Sequence, residues 1–356
     1  MHHILVLGNG HIGNLIALAL HQSGDYQVIC ADKCKPQSKT PFAQIQMDVN
    51  NSDDWQKLYQ QYPIQSMVSA LPFFCNQTII DQACAHQTHY FDLTESEIIT
   101  NYAKKQSLSQ KTCFMPQCGI APGLINIMAY AMLERITNPT DLEIRVGAIP
   151  HKPDPNSELK YAHTWSIEGV IEEYSQPCTV IKQGKVTKRP ALEDYETIEV
   201  LNKNYEAFNT SGGIGSLSQH LPKSLQSCNY KTIRHIGHHQ AIKLLMQELN
   251  LQKRPDVMAK ILRENLPETT NDEVICHINV VKKRANDHQS HSWSKTFMPQ
   301  TIGGKKYSAI EVTTALSACA MIDIILKNTD LYQGFIQHHQ IQLQQVMHNQ
   351  FGKQLL

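Results

Sequence analysis

Short apolar runs separated by polar, helix-spaced segments set the rhythm of the first third of the chain. The run over residues 3–7 predicts a buried strand, and Gly8-Asn9-Gly10-His11-Ile12-Gly13 predicts a tight turn. Helical spacing then leads to a second strand that closes on Val28-Ile29-Cys30-Ala31-Asp32. Further strands are predicted over 45–49, 66–71, 90–94 and 112–118, with helices over 77–85 and 95–110. Parallel strands need crossover helices between them, so this alternation predicts an α/β fold with a Rossmann-type doubly wound parallel sheet.

The pattern changes at Gly119-Ile120-Ala121-Pro122-Gly123, where a strand ends in a rigid turn that launches an apolar helix over 124–133. From residue 141 onward, strands such as 142–148 and 274–281 alternate with helices such as 241–249 and 257–264. This predicts a second α+β domain built on a mixed or antiparallel sheet, with helices on one face. An apolar helix rich in alanine and threonine follows over 309–326, and 338–350 reads as glutamine-rich, helix-like terminal packing. The expected organisation is a first domain over 1–120, a second over 121–308, and C-terminal helices over 309–356 that pack back on the first. A chain of 356 residues exceeds what one hydrophobic core usually serves, in keeping with that division.

Composition narrows the partners. With 32 basic and 32 acidic residues the chain offers no overall attraction for nucleic acid or an anionic membrane, so a small-molecule ligand is expected. No segment approaches the roughly twenty apolar residues of a membrane span, and no signal-peptide pattern precedes the first strand, which predicts a cytoplasmic protein. Ten scattered cysteines without paired close spacing read as reduced, mostly buried apolar residues. Among eighteen histidines, His238-His239, His338-His339 and His288 with His291 invite a metal reading. Adjacent histidines project differently from one backbone, and no helical i, i+4 pair brackets a glutamate, so surface solvation is expected and no metal site.

The glycine turn carries the first chemistry. Gly8 permits the tight turn, Gly10 lets the backbone approach a pyrophosphate, and Gly13 lets the helix pack on the strand, with Asn9, His11 and Ile12 completing a cradle for a dinucleotide. Asp32 falls where a carboxylate accepts both adenosine ribose hydroxyls and repels a 2′-phosphate, which favours NAD over NADP as cofactor. Lys33 and Lys35 follow; a mobile cation there could soften the preference, although solvated loop charge is the plainer reading. Ligands of such sheets lie beyond the carboxyl ends of the strands, so Asp48, Val49, Ala70, Leu71-Pro72-Phe73 and Thr94-Glu95 are expected to line the cleft. Asp48 either faces the adenine or caps the next helix, while Leu71 and Pro72 run beside the nicotinamide half.

The ordered segments GNGHIG, ALPFFCNQTIIDQACAHQTHYFDLTE, QCGIAPGLINIMA, YAHTWSIEGVIEEYSQPC, FNTSGG, YKTIRHIGH and KKYSAIEVTTA resemble the saccharopine dehydrogenase family over nearly the whole chain, most closely its lysine 6-dehydrogenase-like branch. The resemblance implies an NAD(P)-dependent oxidoreductase that interconverts an amine-bearing carbon and its imine by hydride transfer. Saccharopine reductases carry a Gly-Leu-Asp-Pro-Gly turn. Here Ala121 stands in place of the Asp, as in the lysine dehydrogenase branch. The implied reaction is oxidative deamination of L-lysine to 2-aminoadipate semialdehyde, which cyclises to piperideine-6-carboxylate. Alternatives are an imine reductase like saccharopine reductase or carboxynorspermidine synthase, and a non-catalytic NAD sensor.

That chemistry assigns candidates. Arg234 is expected to clamp the substrate α-carboxylate, or else to form an interdomain ion pair. Trp165 and Ser166 would wall the substrate pocket, with a core tryptophan as the alternative. Thr210-Ser211-Gly212-Gly213 would offer backbone amides, or form a surface loop. Glu168 and Tyr161 are the candidate proton acceptors, with His163 and Lys160 behind them, whereas Glu172 and Glu173 read as an exposed acidic face. Family habit and apolar helices in the second domain imply a homodimer or larger homo-oligomer.

Overall fold

In the computed structural model, which describes residues 1–36, 39–284 and 287–356, the chain forms two units: Met1–Leu124 with Thr313–Leu356, and Ile125–Val312. The first holds β1 (His2–Leu7), α1 (His11–Gln22), β2 (Tyr26–Asp32), β3 (Ala43–Gln46), α2 (Ser52–Gln61), β4 (Ser66–Ser69), α3 (Asn76–Ala85), β5 (His89–Asp92), α4 (Glu97–Ser107) and β6 (Cys113–Met115). With the short strand Gly334–Phe335 at one edge, the strands run in the order β6-β5-β4-β1-β2-β3, all parallel. Ile4 to Leu7 are fully buried, the signature of a strand covered on both faces. Strand order reverses between β1 and β4, and the glycine turn leaves β1 at that switch point.

Strands β3, β4, β5 and β6 all stop earlier than their apolar runs. β4 ends at Ser69, whose hydroxyl takes the Leu71 N–H at 3.4 Å; β5 ends at Asp92, whose carboxylate takes the Thr94 and Gln117 N–H groups at 2.9 Å each. Side chains that capture backbone amides compete with the ladder and end it. Helix α2 escapes the apolar pattern because it buries little beyond Trp55 and Leu58; Asn51 caps it by accepting the Asp53 N–H at 2.9 Å. The helix Ala309–Leu326 is 18 residues long, apolar enough in composition to cross a membrane, and 94% buried within the protein. Inside the first unit its Asp323 accepts the Tyr26 hydroxyl at 2.7 Å.

The second unit holds α5 (Leu124–Leu133), β7 (Asp141–Pro150), α6 (Ile167–Ser175), β8 (Cys178–Lys182), β9 (Lys185–Arg189), β10 (Glu196–Val200), β11 (Lys203–Asn209), β12 (Ser227–Arg234), α7 (His238–Lys243), α8 (Pro255–Asn265), β13 (Asp272–Arg284) and β14 (Asp287–Phe297). Its eight-stranded sheet is mixed. β12 pairs parallel with β7, the other pairings are antiparallel, and the β8–β9 hairpin joins through β8 to β12. Ile167, Val170, Ile171 and Tyr174 of α6 share a core with Phe208 of β11, Ile242 of α7 and Met258 and Leu262 of α8. The helix predicted over 241–249 resolves into α7 and a π-helical turn, Leu244–Glu248.

Two expectations about exposure are corrected. His238 and His338 are buried, because each has a backbone carbonyl to bond: Leu159 at 2.7 Å and Gln117 at 2.9 Å. Glu173 is buried as well, and Glu172 half-buried. All ten cysteines are free, with Cys34 exposed, Cys75 and Cys84 half-buried and the others buried. Among the described residues no group of three or more His, Cys, Asp and Glu is placed to hold a metal ion.

Candidate active site

The glycine turn begins where Gly8 continues the ladder, its N–H donating to Ala31 at 2.8 Å. Its φ of +102° lies in the left-handed region that side chains disfavour. A Cβ on Gly13 would overlap the Gly8 carbonyl oxygen, so α1 can start this close to β1 only with glycine there. A Cβ on Gly10 would meet no protein atom within 4 Å. Gly10 also caps α1 without a side chain to satisfy the first-turn amides, which is the arrangement that receives phosphate oxygens.

Asp32 closes β2 with both carboxylate oxygens engaged. Oδ2 accepts the Asn9 N–H at 2.7 Å and Oδ1 the Cys34 N–H at 2.8 Å. Asn9 is tied to α1 in turn, since its Oδ1 accepts from Asn14 at 3.0 Å. A carboxylate has about four acceptor positions, so this one orients the turn and keeps positions for ribose hydroxyls. Lys33 and Lys35 are exposed.

Beyond β3, Asp48 is exposed and its Oδ1 accepts the Asn50 N–H at 2.9 Å. The helix cap is Asn51, not Asp48. Val49, expected in the cofactor set, turns its side chain into the core, and its carbonyl accepts the Trp55 indole N–H at 2.8 Å. Ala70 bonds back to β1 through its N–H to Leu7 at 2.8 Å. Leu71 is half-buried and Pro72 exposed. Pro72 opens a single 3₁₀ turn that leaves the rings of Phe73 and Phe74 exposed, Phe74 being unforeseen.

Asp92 is a further polar residue at the end of β5, outside the set the sequence predicts. It is fully buried, and besides the Thr94 and Gln117 amides it accepts the Tyr90 hydroxyl at 2.6 Å and Asn76 Nδ2 at 3.3 Å. Burial pushes its carboxyl up to about 6, against the pull of those donors. The available signal was an acid at the end of an apolar strand, His89-Tyr90-Phe91-Asp92, with Thr94 two residues on.

In the second unit a buried polar cluster surrounds Arg234. Its Nε donates to the Tyr174 hydroxyl at 2.8 Å, its Nη1 to the Ile233 carbonyl at 2.9 Å, and its Nη2 lies 3.9 Å from Glu173. The guanidinium carbon stands 5.1 Å from the Tyr161 ring centre and 5.6 Å from that of Tyr174. Glu173, the carboxylate beside it, belongs to the same unit. Burial raises the Tyr161 and Tyr174 phenol pKa values, so both are protonated at neutral pH. Tyr174 has a readable signal, because Ile167, Val170, Ile171 and Tyr174 follow the helical i, i+3, i+4, i+7 stripe.

The other candidates are placed as follows. Glu168 is exposed and paired with Arg263; five residues before Glu173, it points about 140° away around the helix axis from the Arg234 cluster. Ser166 caps α6 by accepting the Gly169 N–H at 3.1 Å. Trp165 is half-buried against the core of the second unit, and a Cβ on Gly169 would overlap its ring. Thr210 is buried and shares a hydrogen bond of 2.9 Å with Thr232. The Ser211 N–H is already donated to the Glu173 carbonyl at 3.0 Å, and Gly213 lies flat against the Tyr230 ring, so this segment is packed and not a surface loop. Lys160 Nζ bonds the Ile236 carbonyl at 2.8 Å and the His163 N–H the Pro267 carbonyl at 2.8 Å.

Residues 4–113 match the family model of the saccharopine dehydrogenase NADP-binding domain, and residues 119–351 that of the saccharopine dehydrogenase C-terminal domain. In fold, the chain is similar to apo saccharopine dehydrogenase (L-Glu forming) from Saccharomyces cerevisiae, with a TM-score of 0.75, 14% identity, and coverage of 95% of this chain and 94% of the other. It is also similar to homospermidine synthase from Legionella pneumophila in complex with NAD, with a TM-score of 0.66, 10% identity, and coverage of 99% and 89%. The chain belongs to the saccharopine dehydrogenase family and is an NAD(P)-dependent oxidoreductase acting on carbon–nitrogen centres.

Proposed function

We propose that this protein is an NAD-dependent dehydrogenase of a side-chain amine, converting L-lysine to 2-aminoadipate semialdehyde, which closes to piperideine-6-carboxylate. The observation that carries the cofactor choice is Asp32. Its carboxylate ends β2 beside the glycine turn, where it suits ribose hydroxyls and opposes a 2′-phosphate. The substrate choice is supported by Ala121, whose methyl group gives the Gly119–Gly123 turn no charge with which to meet a larger, multiply charged amino acid.

When bound, NAD supplies a hydride acceptor at nicotinamide C4. Lysine must first lose a proton from its ε-ammonium; C6 then gives up a hydride, leaving an iminium ion to which water adds, and ammonia and a proton depart to leave the aldehyde. Arg234 is the residue for the α-carboxylate. Its Nη2 lies beyond hydrogen-bond distance of Glu173, while the two tyrosine rings hold its plane. Tyr161, kept as a phenol by burial, does not take the ammonium proton. Glu168, with Arg263 already on its carboxylate, is a poor acceptor for that proton.

A second reading is an imine reductase that condenses an aldehyde with an amine, favoured by the fold similarity to an NAD-bound homospermidine synthase. One assay separates the two. Reduced nicotinamide should accumulate with NAD and L-lysine, faster than with NADP or with ornithine. Consumption of NADH only when glutamate and 2-aminoadipate semialdehyde are supplied together would establish the reductase instead.

A further inference from the structure

We propose that Asp92 is a positioning residue for the nicotinamide half of the dinucleotide, acting through the loops that follow β5 and β6. The inference rests on the cofactor reading above. In doubly wound folds each half-sheet receives one mononucleotide. Asp32 marks the half built from β1, β2 and β3 as the adenosine side, which leaves β4, β5 and β6 for nicotinamide.

On that side a chain of polar contacts runs from the glycine-turn strand to the far loop. Ser69 is the register partner of both Leu7, the residue before Gly8, and Asp92. Its hydroxyl donates to Asn76 Oδ1 at 2.7 Å, and Asn76 Nδ2 donates to Asp92 Oδ2 at 3.3 Å. Asp92 Oδ1 then holds the amides of Thr94 and Gln117, at the start of both rim loops. Gln117 sits at φ +64°, a backbone state a non-glycine residue keeps only when its surroundings enforce it, and its carbonyl is held by His338. Ser69, Asn76, Asp92, Thr94 and Gln117 are all buried. A satisfied buried network of this kind fixes one geometry of the groups it holds.

The wiring gives a specific test. Asp92→Asn keeps an oxygen for the two loop amides but turns an NH₂ group toward Asn76 Nδ2 and the Tyr90 hydroxyl, setting donor against donor at both. Adding Asn76→Asp restores complementarity on that side, since Asp at 76 accepts from both Ser69 and the new amide, while the Tyr90 hydroxyl turns to accept the second amide hydrogen. In the full-length protein, Asp92→Asn should leave the Kd of ADP-ribose within about twofold, while changing the fluorescence of bound NADH and lowering kcat by about tenfold or more. The double variant should recover most of both signals. Equal loss of ADP-ribose and NADH binding would reduce Asp92 to a structural role. Unchanged NADH fluorescence and kcat, or a folded double variant without recovery, would also overturn the proposal. Failure of the native protein to bind ADP-ribose would fell the cofactor reading beneath it.

Discussion

The Tyr174 hydroxyl donates to His238 Nε2 across 3.1 Å, and this settles the orientation of three side chains at once. His238 Nδ1 is 2.7 Å from the Leu159 carbonyl and must carry the ring proton, so Nε2 is the acceptor. The tyrosine oxygen is then left to accept from Arg234 Nε at 2.8 Å. Phe208 and Tyr161 close around the group, with ring centres 6.4 and 5.3 Å from that of His238.

This wiring predicts how Arg234 responds to its neighbours. Tyr174→Phe removes the acceptor of a buried guanidinium and should cost about 1–3 kcal/mol of stability. The KM for lysine should rise about three- to tenfold with the KM for NAD unchanged. Arg234→Lys should raise the lysine KM further, because an ammonium cannot make two parallel bonds to a carboxylate. Steady-state kinetics with each substrate varied in turn check both variants, and equal effects on lysine and NAD would contradict the clamp.

Acid sensitivity follows from the same histidine. Burial, and then the charge of Arg234, lower its pKa from 6.5 to about 3. The unfolded chain takes up the proton near pH 6.5 and the folded one does not, so the stabilisation is full above pH 6.5 and is lost as pH falls toward 3. His238→Gln should therefore flatten the decline in melting temperature between pH 6.5 and 4. His2 and His338, each lowered to about 4 chiefly by burial, maintain the remaining slope. An identical slope in variant and native protein would contradict the assignment.

The glycine turn offers a contrast between two single methyl groups. Gly13→Ala places a Cβ on the Gly8 carbonyl and should lower both stability and NAD affinity. Gly10→Ala meets no protein atom and should change stability by no more than about 1 kcal/mol. It should nevertheless abolish NAD binding, because the methyl group occupies the approach to the diphosphate. Thermal melts paired with calorimetric titration of NAD distinguish the two effects.

Asp32→Ala should weaken NAD binding and narrow the gap to NADP, since the group that opposes a 2′-phosphate is gone. The loss also frees the Asn9 and Cys34 amides, so some weakening of both cofactors is expected. Kd values for the two cofactors measured side by side provide the check. An unchanged preference would discard Asp32 as its source.

These residues also mark how far the sequence reaches. The strand–turn–helix–strand unit through Asp32 is legible because each step rests on local chemistry: an apolar run, three spaced glycines and a closing acid. The ends of β4 and β5 are less so, because Ser69 and Asp92 capture amides that the apolar run alone would assign to the strand. Helix α2 is hidden by its narrow apolar stripe. Glu173 is misread because the carboxylate beside it, Glu172, suggests a solvated face, while the partner that permits burial, Arg234, comes from a strand far along the chain. Val49 is misread for a similar reason, since the core it joins is assembled from strands and helices spread from β1 to β6. Long-range pairing of polar groups leaves no periodic trace, and it is what organises both candidate clusters.

In the proposed reaction a hydride passes from C6 of lysine to NAD held over the glycine turn. Turnover of lysine deuterated at C6, followed by mass analysis of the reduced cofactor, tests it directly. One deuterium is expected in each NADH formed, with ammonia released in equal amount. NADH without deuterium, or no NADH at all, would contradict it.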